Sequence, residues 1–453
     1  MSYESFIQKL PGVTKPVKRL SFKEKIKWTL FGLLFYFVLS EISVWGVSSV
    51  AIAQFQALED IMGASFGSLI TLGIGPIVTS SIFLQLLTGS GILNWDLSSN
   101  HGRIMFQGTQ KLLTFALCFI EAAAYTLMGA IEPMNFLPLT VALVIFQIAL
   151  GGLIIVFLDE VITKWGFGSG VSLFIAAGVS KQIFLRLFNP FGVTGTPAGI
   201  IPHFITTIIT GVPDFMLLLP VAITLFVFFL VVYAQAMRVE IPLAFGSIRG
   251  FGRKWPLKFI YSSVIPVILA AALLINFKVW GQLLASRGFS LLGTFSADGT
   301  PLSGFVYYLT PPTNFIWNVL TMNIVFDEVL RVVVYVLYFV GASAIFSVFW
   351  VHSANMDSHS VAKQIQRSGM QIPGFRRDIR IIERVLDRYI PGLAVLGGVF
   401  VGFLAAFSDL TGALAGGTGI LLAVMIIYQL YEQVATQHME DMHPSLRKFM
   451  ERM

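Results

Sequence analysis

Charged residues and cysteine are both scarce in this chain of 453 residues. Charged side chains make up 12% of the sequence, whereas apolar side chains make up 56%. A soluble globular protein carries roughly 25% charged residues, so this sequence has too few charges to cover a folded surface in water. The apolar content also excludes a disordered chain. The lone cysteine, Cys118, excludes a disulfide framework and a cysteine-rich metal site.

Long, continuous apolar runs are present instead. A helix needs about 20 apolar residues to cross a bilayer core of roughly 30 Å, whereas barrel strands would alternate polar and apolar residues. Runs such as residues 31–39 do not alternate. The sequence therefore predicts an all-α membrane protein with ten transmembrane helices, near residues 28–47, 69–89, 112–131, 137–158, 171–188, 215–237, 259–280, 332–351, 390–407 and 411–431.

Lysine and arginine are unevenly distributed among the predicted loops. Seven of the 30 lie within the first 27 residues, ahead of the first apolar run. That run is too long for the core of a cleaved signal peptide, so we interpret it as a retained first span. With the N-terminus in the cytoplasm, 25 of the 30 cations fall on the cytoplasmic side, as the positive-inside rule requires. We expect a multi-pass protein of the cell membrane with both termini in the cytoplasm.

Two of the predicted cytoplasmic loops, residues 238–258 and 352–388, are longer and more basic than orientation requires. One interpretation is that they are solvated loops attracted to anionic lipid head groups. The other is that they dock to an anionic partner such as ribosomal RNA, through salt-sensitive phosphate contacts. Charge alone leaves both interpretations open.

The second apolar span has an unusual beginning. Residues 56–67 are amphipathic and too polar to cross lipid, and the span that follows contains Gly73, Gly75 and Pro76. Proline removes a backbone donor, so the pattern predicts a broken helix. Irregular backbone at membrane depth is tolerated inside protein or beside a water-filled cavity. Residues 56–67 therefore form either a re-entrant segment facing a pore or a surface hairpin on the outer face.

The sequence carries no motif for catalysis. The glycine-rich run 166–170 lacks the lysine of a P-loop, and His352 and His359 lack the spacing of a zinc protease. Glu41 and Glu121 are the main ionisable residues within spans, without an obvious cationic partner. Two alternatives stay open for Glu41, pairing with a neighbouring helix or with another subunit; Glu121 is open to protonation, and neither residue is assigned a role. The pairs Gly398/Gly402 and Gly412/Gly416 have GxxxG spacing, which indicates close helix packing. We predict no enzyme activity, no catalytic residues, no metal and no cofactor.

Six separated motifs resemble the SecY family, the large (alpha) subunits of the Sec protein-conducting channel, in its archaeal form. The motifs cover nearly the whole chain in order: residues 72–79, 168–170, 174–178, 237–243, 265–270 and 416–422. The resemblance implies two inverted halves, 1–190 and 191–453, which hinge between spans five and six. It also implies a lateral gate, between spans two and three on one side and seven and eight on the other.

The same resemblance assigns roles to individual residues. It implies an apolar pore ring formed by Ile74, Val78, Val171, Ile175, Ile268 and Leu422. Such a ring binds ions poorly and yields around a passing chain. It implies a plug in residues 56–67, represented by Leu58, Ile61, Met62, Ala64, Ser65 and Phe66. The resemblance also implies that Arg249, Arg376 and Arg377 bind the ribosome or another partner.

The function implied is the passage of unfolded secretory polypeptides through the ring and the release of membrane helices through the lateral gate. The implied partners are a SecE/gamma subunit, a small beta subunit, ribosomal RNA and protein, signal sequences and nascent chains, and membrane lipid. Two rival classes are a secondary transporter, which needs a polar site at mid-membrane, and an intramembrane protease, which needs a catalytic constellation. The residues in the spans favour neither.

Overall fold

We obtained a computed structural model of the chain. It describes residues 7, 9–47, 65, 67–89, 92–93, 95, 99–127, 131, 133–135, 137–191, 197–211, 213–245, 252–262, 264–286, 288–296, 300–312, 315–322, 325–367, 370–371 and 378–442.

Ten helices of the described chain correspond to the ten predicted spans, which confirms the all-α membrane class. They are α1 (Phe22–Glu41), α2 (Gly75–Gly89), α3 (Asn100–Leu127), α4 (Pro138–Trp165), α5 (Gly170–Phe188), α7 (Leu219–Ala236), α8 (Ile265–Ser286), α11 (Phe326–Ser353), α14 (Ile390–Leu410) and α15 (Gly417–Met442). Judged by length and composition alone, seven helical stretches within the described residues are long and apolar enough to cross a membrane. Among the others, α1 begins with a charged turn and α2 is only 15 residues long.

Several spanning helices extend beyond the apolar run that predicts them. Helix α1 begins at Phe22 because Ser21 and Glu24 form a capping box. The Glu24 backbone N–H donates to Ser21 Oγ over 3.4 Å, and the Ser21 N–H donates to Glu24 Oε2 over 2.9 Å. These bonds satisfy donors at the helix end that have no partner within the helix. Hydrophobicity marks the membrane-embedded part of a helix, and the capping residues mark its end.

The break predicted in the second span is present. Residues 67–74 form turns, and α2 begins at Gly75 with Pro76 in its first turn, where a missing N–H costs little. Gly67 and Gly73 have φ values of +80° and +52°, which a residue with a side chain rarely adopts. The short α2 therefore begins part-way along the region that predicts the span.

Shorter elements connect the spans. They are α6 (Ile200–Ile209), a 3₁₀ turn (Phe215–Leu218), α9 (Phe305–Tyr308), α10 (Phe315–Leu320), α12 (Ser358–Arg367) and α13 (Ile379–Leu386). Two small sheets, which hydropathy did not predict, are formed by β1 (Arg238–Phe245), β2 (Gly252–Lys258), β3 (Thr294–Phe295), β4 (Pro301–Ser303) and β5 (Met370–Gln371). The first has the order β2-β1-β5 and is antiparallel. It joins the stems of the two basic loops.

Glycine allows α14 to pack closely on α11. A Cβ at Gly398 would lie 2.8 Å from the Ser343 carbonyl oxygen, and one at Gly402 would lie 2.5 Å from that of Phe339. The packing predicted for this pair is therefore present. Gly412 and Gly416 instead lie in the turn between α14 and α15, with φ values of +70° and +69°. Their GxxxG spacing reflects turn geometry, and the packing prediction for that pair is wrong.

Polar contacts define the two faces of the helical bundle. On one side, which we call the basic face, Trp165 Nε1 donates to the Thr14 carbonyl over 2.8 Å, and Lys25 Nζ donates to Gln437 Oε1 over 2.8 Å. On the other side, which we call the opposite face, Lys181 pairs with Glu41. The N-terminal segment and the end of α15 therefore lie together on the basic face.

Candidate functional site

The six predicted ring residues come together in one hydrophobic cluster. Ile74 precedes α2 and Val78 lies in its first turn; Val171 and Ile175 are on α5, Ile268 on α8 and Leu422 on α15. Five of them are at most 6% exposed, and Val171 is half-buried against the same cluster. Four separate segments thus contribute branched apolar side chains to the same hydrophobic cluster.

A large cavity opens on the basic face, and we call it the vestibule. Its volume is about 1020 Å³. Its lining includes glutamines and charged residues of the N-terminal segment, α1, β2 and α15, such as Arg19, Lys25, Lys258 and Glu432. A second cavity of about 740 Å³, which we call the outer cavity, is lined by α5, α7, α8, α11 and the turn before α15.

The ring positions lie between these two cavities along the helices that line both. On α8, Ile265 lines the vestibule, Ile268 follows one turn later, and Ala271 lines the outer cavity. On α15 the order is reversed, with Gly419 at the outer cavity, then Leu422, then Ile426 at the vestibule. The helices are therefore antiparallel, and apolar ring positions lie between the two cavities. A narrow cleft lined by Ile74, Val78 and Ile268 lies among them.

Helix α2 packs against α8 and α11, at the seam where the resemblance predicts a lateral gate. Asn276 Nδ2 lies 3.5 Å from Thr79 Oγ1 across this seam. On the other side of α2, the hydroxyls of Ser80 and Thr114 are 2.7 Å apart, which joins α2 to α3. The seam between α2 and α8 is closed, and it combines a weak polar contact with apolar neighbours.

The structure places the two ionisable span residues differently. Glu121 lies beside Thr79, and its Oε2 is buried without a hydrogen-bond partner among the described atoms. Glu41 ends α1 and pairs with Lys181 of α5 over 2.7 Å, with both side chains exposed. The partner of Glu41, which the sequence does not show, therefore comes from another helix, as one of the two alternatives for this residue expected.

Of the six predicted plug residues, Ser65 is described, whereas Leu58, Ile61, Met62, Ala64 and Phe66 lie outside the described residues. Ser65 Oγ donates to the Ser40 carbonyl over 3.2 Å, and Thr71 Oγ1 donates to the Ser68 carbonyl over 2.6 Å. The first bond attaches the chain before α2 to the end of α1, and the second lies within the turns that precede α2.

The predicted ribosome-binding residues Arg249, Arg376 and Arg377 also lie outside the described residues. The stems of their loops are described. Phe245 at the end of β1 pairs with Met370 of β5, and Arg238 at the start of β1 pairs with Glu432 of α15 over 3.0 Å. The β2 residue Lys258 contacts the same carboxylate. One sheet, anchored to α15, therefore supports both loops.

A segment on the opposite face forms one wall of the outer cavity through Pro311, Pro312 and Phe315. Tyr307 Oη donates to Asp327 Oδ2 over 2.5 Å, and this hydrogen bond raises the pKa of Tyr307. The Arg331 guanidinium lies 4.1 Å from the centre of the Tyr307 ring and donates to the Thr310 carbonyl over 3.0 Å. These contacts hold the wall in place.

Two aspartates near the ring positions were not identified as functional residues from the sequence. Asp159 of α4 accepts a hydrogen bond from the backbone of Val171, and Asp409 of α14 accepts one from the backbone of Thr418. Each lies near the end of a spanning helix and precedes a glycine-rich turn. An aspartate near a helix end, followed by glycines, was the sequence feature that could have identified these residues. The sequence does not show which backbone N–H groups the two carboxylates bind.

Comparison with known proteins agrees with this geometry. A family model described as SecY matches residues 68–431. The protein translocase subunit SecY of Methanothermobacter thermautotrophicus is 45% identical, over 99% of this chain and 98% of the relative. The subunit of the same name from Methanocaldococcus jannaschii is 44% identical, over 98% of each chain.

Solved structures resemble the fold over its full length. One described as the structure of a protein conducting channel has a TM-score of 0.86 and 42% identity, and covers 98% of this chain and 99% of its own. Another, of Sec61 in the canine ribosome-channel complex from the endoplasmic reticulum, has a TM-score of 0.83 and 42% identity, with the same coverage. The chain belongs to the SecY family.

Proposed function

We propose that this chain is the pore-forming subunit of a Sec translocon, which passes unfolded secretory polypeptides across the cell membrane. The observation that carries the proposal is that the six proposed ring positions belong to one apolar cluster between two cavities. Four segments supply the six side chains, and the vestibule and the outer cavity lie on either side. A constriction of branched apolar side chains resists ion passage, yet it yields to a chain in transit because it offers no strong binding site.

The two halves, 1–190 and 191–453, would separate at the seam between α2 and α8. An apolar signal sequence that binds there favours the open state, because a ligand shifts an equilibrium toward the state it binds better. The weak contact between Thr79 and Asn276 and the apolar packing around it support this seam as the lateral gate, through which membrane helices would leave.

Crosslinking tests the path of the translocating chain. A Cys118→Ser background carrying Ile268→Cys would be reconstituted with its partner subunits and given a stalled secretory chain bearing one reactive group. We expect an adduct from position 268, because the proposed path passes the ring. The matched control is Phe229→Cys on α7, whose side chain is 66% exposed on the outside of the bundle. Equal adduct yields at both positions would contradict the proposal.

We also propose that residues 56–67 act as a plug below the ring. Their support is positional: they immediately precede the turns that carry Ile74, and Ser65 is hydrogen-bonded to the end of α1. Deletion of residues 57–66 should raise the ion leak of sealed vesicles containing the complex. A leak equal to that of the unaltered complex would exclude the plug while leaving the ring intact.

The ribosome is the proposed partner at the basic face, which we assign to the cytoplasm together with both termini. The support is the concentration of cations there and the single sheet beneath both basic loops. Arg376→Glu should weaken ribosome docking by the largest factor at low salt, because a chain with fewer phosphate contacts depends less steeply on salt concentration. Lys181→Glu, on the opposite face, is the control. Docking that is unimpaired by Arg376→Glu at every salt concentration would remove this role.

A SecE/gamma subunit and a small beta subunit are further proposed partners. Their support is the family membership and the apolar outer surface of the bundle, on which Phe226, Phe229 and Tyr233 of α7 are more than half exposed. Purification of the tagged chain from its native membrane tests both, since stoichiometric small subunits should accompany it. A chain that purifies alone and remains active would contradict them.

A further inference from the structure

We infer that Asp159 and Asp409 are positioning residues that fix the first turns of the ring-bearing helices α5 and α15 and so keep the ring closed. This inference rests on the proposed function. Neither aspartate belongs to the ring, and the ring itself contains only apolar residues. The argument depends on what each carboxylate binds and on how α5 and α15 pack.

Asp159 holds the start of α5 from the preceding helix, α4. Its Oδ1 accepts a hydrogen bond from the Val171 N–H over 2.8 Å. Ser169, the residue that would normally cap α5, makes no side-chain cap bond. The carboxylate of Asp159 thus supplies the acceptor that the local sequence does not provide. A charged acceptor at a helix N-terminus is favoured by the helix dipole and by a strong hydrogen bond.

Asp409 holds the start of α15 from the preceding helix, α14, by the same device. Its Oδ1 accepts from the Thr418 N–H over 2.7 Å, and Tyr335 Oη donates to Oδ2 over 2.5 Å. The Thr418 hydroxyl also contacts Oδ2. The residue before α15 is Gly416, which has no side chain to cap the helix. The acceptor again comes from the preceding span.

Glycine permits both close approaches. A Cβ at Gly170 would lie 2.5 Å from the Asp159 Cα, and one at Gly417 would lie 2.2 Å from the Asp409 backbone nitrogen. The glycines that precede them, Gly168 and Gly416, have φ values of +73° and +69°. At each site, a glycine with positive φ turns the chain toward the aspartate. A second glycine then packs against the aspartate's helix, where a side chain would not fit. The two sites share one local design at opposite faces of the bundle.

Each bonded residue lies one turn before a ring residue on its own helix, and Val171 is also a ring residue itself. Val171 is four residues before Ile175, and Thr418 is four residues before Leu422. One turn separates each carboxylate-bound N–H from a ring side chain on the same helix face. Asp159 therefore binds the backbone of one ring residue, Val171, and lies one turn from a second, whereas Asp409 acts on Leu422 through a single helical turn.

Helices α5 and α15 pack on each other in opposite directions. Arg186 near the end of α5 contacts the Leu414 carbonyl just before α15, and the start of α5 at Gly168 faces Leu430 of α15. With both helices fixed at their starts, Ile175 and Leu422 meet midway. If either start is released, that helix can slide along its axis, and the ring loses its register.

The test measures ion leak with no translocating chain present. Asp159→Ala and Asp409→Ala complexes, reconstituted with their partner subunits, should each leak about tenfold more than the unaltered complex. A charge-assisted hydrogen bond contributes enough free energy to change an equilibrium by about that factor. Asp159→Asn and Asp409→Asn should leak less than the alanine variants, because an amide oxygen can still accept the backbone N–H. They also provide variants that fold if an alanine variant does not.

The matched control is Asp214→Ala. Asp214 also accepts a helical N–H, from Met216 over 3.0 Å, but it begins a span that carries no ring residue. Its leak should equal that of the unaltered complex. An unchanged leak in the Asp159 and Asp409 variants, or an equal increase in the Asp214 variant, would overturn the inference. An unaltered complex that transports no secretory chain would instead contradict the proposed function, so the two failures are distinguishable.

Discussion

Asn276 Nδ2 lies 3.5 Å from Thr79 Oγ1, and this contact joins α8 to α2. Thr79 directly follows the ring residue Val78, and Asn276 lies about two turns after the ring residue Ile268. The distance is at the upper limit for a hydrogen bond, so the contact contributes little free energy while keeping two partly buried polar groups at the seam. The two helices can therefore separate at this seam at a small cost in free energy.

Replacing both polar groups should make this seam harder to open. In the Thr79→Val/Asn276→Leu variant, apolar contacts replace two imperfectly paired groups, which is neutral or stabilising for a closed interface. Transport of a reporter with a weakly apolar signal sequence should fall several-fold, while a strongly apolar signal should still work. Thr126→Val is the control, because within the described residues the Thr126 hydroxyl bonds to its own helix alone, at the Ala122 carbonyl. Equal transport of both reporters would contradict this role.

Gly402→Ala should destabilise the protein by about 1–3 kcal/mol, the usual cost of overpacking a close contact. The added Cβ would lie 2.5 Å from the Phe339 carbonyl oxygen, which belongs to a helix backbone and cannot move aside. Gly341→Ala is the control, since a Cβ there meets no atom of the described residues within 4 Å. It should be neutral or stabilise by up to about 1 kcal/mol. Thermal unfolding of the purified complex measures both, and equal midpoints would refute the packing argument.

Glu160→Ala should detach the N-terminal segment from the bundle. The Glu160 carboxylate contacts Lys111, accepts from Lys164 Nζ over 2.8 Å and accepts from the Val13 N–H over 2.8 Å. Loss of these bonds should cost about 1–3 kcal/mol, because bonds to a half-buried charged group are strong. Faster proteolysis near Val13 would reveal the detachment. A cleavage rate like that of the unaltered protein would show that other contacts suffice.

Glu41→Ala, by contrast, should change stability by no more than about 1 kcal/mol. Both side chains of its ion pair with Lys181 are exposed to solvent, where water and salt screen the attraction. The unfolding midpoint should be close to that of the unaltered protein at low salt and should match it at high salt. A large loss of stability that persists at high salt would indicate a further role for this carboxylate.

Much of the fold was predictable because the bilayer imposes simple requirements. Each span needs a long apolar run, so all ten spans correspond to helices. The break at Pro76 followed from the missing backbone donor. The hairpin formed by β1 and β2 did not follow, because it lies outside the membrane, where hydropathy says nothing about backbone conformation.

Within the site, motif resemblance selected the six ring positions, and the structure places them in one cluster. The helix spacing of Val171 and Ile175 does not by itself distinguish a pore face from ordinary packing. The partner of Glu41 and the bonds of Asp159 and Asp409 were not predictable. Each joins elements whose contact depends on how the helices pack, and Lys181 lies 140 residues from Glu41.

The sequence by itself determined that this chain spans a membrane ten times and that its cations concentrate on one side. Both properties follow from the cost of transferring each residue into lipid, which depends on composition along the chain. Only the tertiary structure decided which faces of those helices enclose the two cavities and which carboxylates reach the first turns of α5 and α15. Those outcomes depend on close packing between helices distant in sequence, where a glycine in place of a larger residue decides how near two backbones come.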